Sequence, residues 1–90
     1  MIVGLEEMKN YLRIDYDDDD EFLLYALDFS ESLCADIARM SVEELEKTGA
    51  AGIAVMYAVA YLYEHREDAD HHALTISLRS LLFGIRKEGF

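Results

Sequence analysis

Apolar residues recur along this chain at the three- and four-residue spacing of an amphipathic helix. Leu5, Met8 and Leu12 share one face of a first helix, predicted over about residues 5–13. No run of the sequence alternates apolar and polar residues as a half-buried strand does, and proline is absent. The pattern therefore predicts an all-α fold, a small bundle of two long helices plus two or three short ones.

A long second helix follows an acidic run at residues 15–21 and is predicted to end near Arg39. Carboxylates just ahead of a helix can accept hydrogen bonds from its free N–H groups, so its N-cap is expected at Asp17 or Asp18. Ser30 is expected on the buried side, where another helix can approach closely. The apolar residues predicted to form its buried stripe are Leu23, Leu24, Leu27, Cys34, Ile37 and Ala38.

Two shorter helices are predicted on either side of the apolar segment described next. Ser41 followed three residues later by Glu44 has the form of a capping box, which predicts a short helix over residues 42–47 that Gly49 ends. Near the C-terminus, apolar spacing predicts a last short helix over residues 76–83.

Residues 50–63 carry no charged side chain. This length is too short for a membrane helix, which needs roughly 20 apolar residues, so we expect a buried helix that continues to about Glu67. A helix that is apolar on every side is normally surrounded by other elements. The rest of a 90-residue chain covers it incompletely, which favours a homo-oligomer in which a second copy supplies the cover. The alternative is that the short third and final helices complete the cover.

The tyrosines of this apolar helix offer large contact areas with one polar group each, a profile typical of interface anchors and of core packing alike. Both interpretations remain open from the sequence. The residues predicted as a subunit or partner interface are Tyr57, Tyr61, Tyr63, Val55, Val59, Leu62, Phe83 and Phe90. The last of these belongs to a short tail, residues 85–90, that we expect to be mobile or held by a neighbour.

The chain is strongly acidic, with 19 Asp and Glu against 8 Lys and Arg and a formal net charge of −11. Such a surface repels phosphate and lacks the basic patch of a protein that grips nucleic acid. The densest acidic cluster is predicted to form a solvent face or to line a channel. Its members are Asp17, Asp18, Asp19, Asp20 and Glu21.

Catalytic chemistry has no support in the sequence, and no cofactor is expected. There is no GxSxG motif, no glycine-rich phosphate loop and no HExxH motif. His65, His71 and His72 lie among carboxylates, so a metal-dependent hydrolase stays open as one hypothesis. The acidic composition and small size also leave open an acidic inhibitor or DNA mimic that binds a basic host protein.

Two separated segments resemble the small head–tail connector, or head-completion, proteins of tailed bacteriophages. The first is LEEMKNYLRID at residues 5–15, and the second is VAYLYEHRE at residues 59–67. Residues 23–27 and 78–82 also match the leucine-rich helices of that family. The chain departs from the family at residues 38–52, where relatives often carry a Thr-Gly-Arg turn and a proline-containing loop.

The resemblance implies a single connector domain over residues 1–90 that is a structural subunit and not an enzyme. It implies a ring of about twelve subunits under the portal protein, which extends the DNA channel and docks a tail-completion protein. DNA would pass that channel without specific binding, and no membrane would be involved. The expected location is the bacterial host cytoplasm during assembly and then the virion head–tail junction.

Overall fold

A computed structural model describes residues 2–83, and helices are the regular elements within that range. They are α1 (Leu5–Leu12), α2 (Asp20–Ala38), α3 (Val42–Glu46), α4 (Ala51–Glu64) and α5 (His71–Leu82). The predicted all-α bundle is confirmed. Within residues 2–83, no helix is both long and apolar enough to cross a bilayer.

Helices α1 and α2 end in the same way, at an arginine in the left-handed conformation. The φ angle is 61° at Arg13 and 60° at Arg39, and each backbone N–H donates to carbonyls of the preceding turn. This geometry usually belongs to glycine, because a side chain there meets the backbone. The predicted ends of both helices are confirmed.

The predicted N-cap of α2 is wrong by one or two residues, because the helix begins at Asp20 and Asp19 is the N-cap. The Asp19 side chain makes no capping hydrogen bond, since its carboxylate is directed to residues of α4 and the connection that follows it. Asp17 accepts a hydrogen bond from Lys9 instead. Ion pairs, not capping, therefore decide how the acidic run leads into α2.

The capping box before α3 is confirmed. Ser41 Oγ accepts from the Glu44 N–H at 3.1 Å, and Glu44 Oε1 accepts from the Ser41 N–H at 3.1 Å. Gly49 does not end the helix as predicted. α3 stops at Glu46 because the Thr48 hydroxyl donates to the Leu45 carbonyl at 2.9 Å and Lys47 serves as C-cap.

The boundary between α4 and α5 differs from the prediction on both sides. α4 ends at Glu64 and does not continue to Glu67, while α5 begins at His71, well before Ile76. Asp70 is the reason for the early start, since its Oδ1 accepts from the Ala73 N–H at 3.0 Å and caps the helix. Asp70 is thus the N-cap of α5.

α4 packs against α2 and α5 and also contacts α1 and α3. Its fully buried residues are Ala51, Ala54, Val55, Ala58 and Val59. The other helices of the same chain therefore cover most, but not all, of α4. Val55 and Val59, predicted as interface residues, are buried in this core within the single chain. The exposed apolar side chains of α4 are Ile53, which is 65% exposed, and Tyr57, which is 41% exposed.

The buried face of α2 differs from the predicted stripe at one apolar residue, and it includes two polar residues. Leu24 is exposed, contrary to the predicted stripe, because it is rotated by about 100° from Leu23, which faces the core. Ser30 is fully buried, and its hydroxyl finds no hydrogen-bond partner among the described residues. Glu31 is buried beside it and accepts from the Ile2 N–H at 2.6 Å, which fastens the N-terminal segment to α2.

Candidate functional site

The acidic turn, residues 15–20, is held from one side by Lys9 of α1. Lys9 Nζ lies 2.7 Å from Asp17 Oδ1 and 2.8 Å from Asp20 Oδ1, and its side chain is almost fully buried. Hydrogen bonds to Asp17 and then to Asp20 raise the pKa of Lys9 above its ordinary value. The ion pairs of Lys9 therefore link α1 to the start of α2.

Arg66 holds the same turn from the other side. Its Nη2 lies 2.8 Å from Asp19 Oδ1, and its guanidinium lies over the rings of Phe22 and Tyr63, 4.3 and 4.7 Å from their centroids. Tyr63 Oη donates to Asp19 Oδ2 at 2.9 Å. The hydrogen bonds from Arg66 and then from Tyr63 lower the pKa of Asp19 below its ordinary value. Asp19 therefore stays ionised wherever the fold is intact near neutral pH.

Tyr63 is engaged within the chain. Its hydroxyl also lies 3.2 Å from the hydroxyl of Tyr16, and these contacts, first with Tyr16 and then with Asp19, raise the pKa of Tyr63. The predicted acidic face is accordingly divided. Asp17, Asp19 and Asp20 form ion pairs with Lys9 and Arg66, as given above. The others, Asp18 and Glu21, are exposed without an ion pair to a described residue.

Tyr61 fixes the connection between α4 and α5. Its hydroxyl accepts from the Asp70 N–H at 2.9 Å and donates to the Asp70 carbonyl at 3.3 Å. Its ring stacks on His65 with centroids 4.2 Å apart, and His65 Nδ1 lies 2.9 Å from the Tyr61 carbonyl oxygen. A carbonyl only accepts, so Nδ1 donates and Nε2 of the neutral ring is left as an acceptor.

An open groove of about 290 Å³ lies between α2 and the segment that joins α4 to α5. We call it the aromatic groove. It is lined by Phe22, Tyr25, Ala26 and Phe29 of α2, by Leu62, His65 and Arg66, and by Ala69 and His71. Aromatic rings dominate its α2 wall.

The α2 wall of the aromatic groove is open to solvent although it is apolar. Tyr25 is 75% exposed and Phe29 is 43% exposed, while Phe29 meets His71 edge-on at 5.8 Å. Of the residues predicted as an interface, Leu62 is the one that lines this groove. Phe22, Tyr25 and Phe29 were not among the predicted interface residues, although their spacing of three and four residues indicates a second stripe on α2.

A second exposed apolar surface lies on α4, and we call it the outer face of α4. It is formed by Ile53 and Tyr57, with the half-buried Met56 and Ala60 beside them. Phe83 is highly exposed at the C-terminal end of α5. Phe90 lies outside the described residues.

Two of the chemical groups considered in the sequence, the cysteine and the histidines, have defined surroundings in the structure. Cys34 is fully buried, and this burial, reinforced by the charge of Glu31, raises the pKa of its thiol to about 12. Thiolate, the nucleophilic form, is therefore scarce at neutral pH. His65 and His71 both line the aromatic groove, but within residues 2–83 no three His, Cys, Asp or Glu side chains are placed to hold a metal ion.

No protein-family model, no curated protein and no solved structure matches this chain. The resemblance to head–tail connectors stays a prediction from the two sequence segments.

Proposed function

We propose that this chain is a non-enzymatic structural subunit of a protein assembly, and specifically a head–tail connector of a tailed bacteriophage or prophage. The observation that carries the proposal is the exposure of two separate apolar surfaces, the aromatic groove and the outer face of α4. Contiguous exposed apolar surface on a small protein is typical of sites that bind other proteins.

Lys9 and Arg66 hold the acidic turn from two sides, and we call this pair of residues the clamp. The clamp supports the connector resemblance. Lys9 belongs to the first of the two similar segments and Arg66 to the second. Both side chains form ion pairs with the acidic turn that lies between the segments in sequence. Each of the two segments that carry the resemblance therefore contributes one cation that holds the acidic turn in place.

In the proposed assembly, the outer face of α4 makes the lateral contact between subunits. Ile53 and Tyr57 provide side chains large enough to anchor such a contact. Met56 is flexible enough to fill gaps beside them, and the small Ala60 lets a neighbouring backbone approach. A ring of about twelve copies would then dock the portal protein on one side and a tail-completion protein on the other. Assembly would take place in the bacterial host cytoplasm and end at the virion head–tail junction.

The test is assembly with the portal protein encoded in the same genome. Light scattering measures the mass of the chain alone and after mixing with portal, and electron microscopy shows whether a ring forms. The double variant Ile53→Asp, Tyr57→Asp is expected to abolish ring formation, whereas the control Tyr11→Asp, also at an exposed tyrosine, leaves it intact. A chain that remains monomeric at high concentration and also fails to bind portal would contradict the proposal.

An acidic inhibitor or DNA mimic is less well supported. A mimic needs rows of free carboxylates at phosphate-like spacing, whereas Asp17, Asp19 and Asp20 are already paired with cations of the same chain. The densest acidic segment is thus used to hold the fold together.

A further inference from the structure

The size and shape of the aromatic groove indicate what kind of ligand fits it. Its volume of about 290 Å³ is at the lower limit of pockets that enclose small molecules, roughly 300–1,000 Å³. It is open to solvent, so a small ligand would keep much of its surface in water. Phe22, Tyr25 and Phe29 extend over two turns of α2, about 10 Å, which suits the anchor residues of a helix laid into a groove.

Exposed carboxylates are neighbours, along the chain, of the residues that line both walls of the groove. Glu21 and Asp28 stand four residues before and three residues after Tyr25, so they are its neighbours on α2. Glu67 and Asp68 lie on the opposite side, next to Arg66 and Ala69 in the chain. All four carboxylates are exposed and form no ion pair with a described residue. The cation at the groove, Arg66, is already neutralised by Asp19.

The charges of the chain argue against a second copy as the occupant. Among the described basic residues, Lys9 and Arg66 are held in the clamp and Arg39 has contacts of its own. Those that remain, Arg13, Lys47 and Arg79, lie on three different elements and form no basic helix face.

We propose that the aromatic groove binds an amphipathic helix of a different protein, one with apolar anchors on one face and Lys or Arg beside them. The anchors contact Phe22, Tyr25 and Phe29, and the cations meet the carboxylates that border the groove. This inference goes beyond the proposed function, because it concerns the chemistry of one partner helix and holds whether or not the chain forms rings.

A synthetic helix tests the proposal directly. The probe is a peptide of about four turns with Leu and one Trp at helical anchor positions and Lys on both flanks. The chain has no Trp, so Trp emission reports on the peptide alone. We expect a saturable blue shift of this emission as the peptide binds, with a Kd on the order of 10 µM. Absence of binding at a hundredfold higher concentration would overturn the proposal.

Two control peptides separate groove binding from simple attraction to an acidic protein. A peptide with the same anchors but Glu in place of Lys is expected to bind at least about tenfold more weakly. A peptide with the same composition but with its anchors scattered around the helix is expected to lose a similar factor. Equal affinity for all three peptides would overturn the proposal.

Variants of the protein then locate the binding site. Tyr25→Ala and Phe29→Ala are each expected to weaken the Lys peptide by about fivefold or more, and Tyr11→Ala, on α1, to leave it within about twofold. A peptide of residues 84–90, GIRKEGF, serves as competitor. If it displaces the probe with higher affinity than the probe itself, the groove belongs to this chain's own segment and the proposal is wrong. None of these measurements involves portal, so they fail or succeed independently of the connector function.

Discussion

Arg66 and Asp19 form an ion pair, with Nη2 and Oδ1 2.8 Å apart, that joins the segment after α4 to the residue before α2. The rings of Phe22 and Tyr63 flank the guanidinium and keep it in place. The contact is the point at which the acidic turn, the aromatic groove and the end of α4 meet. A change at Asp19 is therefore expected to affect more than one element.

Replacing Asp19 by Asn removes the charge that Arg66 neutralises and leaves a guanidinium over two aromatic rings. We expect the Tm of Asp19→Asn to fall by a few degrees at pH 7, measured by circular dichroism. Asp18→Asn removes the same charge from the neighbouring exposed residue and is expected to leave the Tm unchanged or slightly raised. Equal effects of the two substitutions would show that the ion pair contributes nothing.

The pH dependence of this difference has a defined sign. The folded state lowers the pKa of Asp19 below its ordinary value of 3.8, so the contribution is complete above that value. It is lost as the pH falls through the lower pKa of the folded state. Urea unfolding at several pH values should therefore show the wild type and Asp19→Asn converging below about pH 3.8 and differing by a constant amount above it.

Ser30 is buried in α2 without a hydrogen-bond partner among the described residues, so its hydroxyl loses water and gains nothing in return. Ser30→Ala is expected to raise the free energy of unfolding by about 1 kcal/mol more than Ser32→Ala does. Ser32 is exposed on the same helix, so this control carries the same gain in helix propensity. A loss of stability in Ser30→Ala, measured by urea unfolding, would reveal a partner or a packing role for the hydroxyl.

Val59 and Ile53 both lie on α4 but differ in what surrounds them. Val59→Ala removes two buried methyl groups and leaves a cavity, and is expected to cost about 2 kcal/mol of unfolding free energy. Ile53→Ala, at a largely exposed position, is expected to stay within about 0.5 kcal/mol of the wild type. If the monomeric protein tolerated Val59→Ala equally well, this side chain would not be part of the core.

Cys34 is both buried and held as a thiol, since its pKa is raised to about 12. We expect an aromatic disulfide reagent to label it at least about 100-fold more slowly in the native protein than in urea. The same shift makes the fold less stable as the pH rises above 9.0, because the unfolded thiol releases its proton first. Fast labelling of the native state would show that the helices around Cys34 open readily.

Local patterns predicted much of this fold because they act over a few residues. Apolar spacing placed α1, α2 and α4, and the Ser41–Glu44 capping box placed the start of α3. The start of α5 was predicted too late because the apolar spacing does not reveal its N-cap, which the hydrogen bond from the Ala73 N–H to Asp70 defines.

The site was harder to predict, because its parts come together only in three dimensions. Tyr61 and Tyr63 look alike in sequence, yet Tyr61 binds Asp70 and Tyr63 binds Asp19. The aromatic residues of the groove wall on α2 were not predicted as a binding surface, because the buried Leu23 and Leu27 already account for the amphipathic pattern of this helix. A second stripe on the same helix becomes meaningful only once the α4–α5 connection is placed opposite it.

Lys9 and Arg66 neutralise carboxylates of the acidic turn, so part of the negative charge is compensated within the chain itself. The Lys9–Asp20 and Arg66–Asp19 ion pairs are short and partly buried, so dissolved salt screens them less than it screens fully exposed charges. The many exposed carboxylates, by contrast, repel one another over distances comparable with the screening length of about 8–10 Å. Moderate salt is therefore expected to make this protein more stable, the opposite of what a fold held together by exposed ion pairs would show.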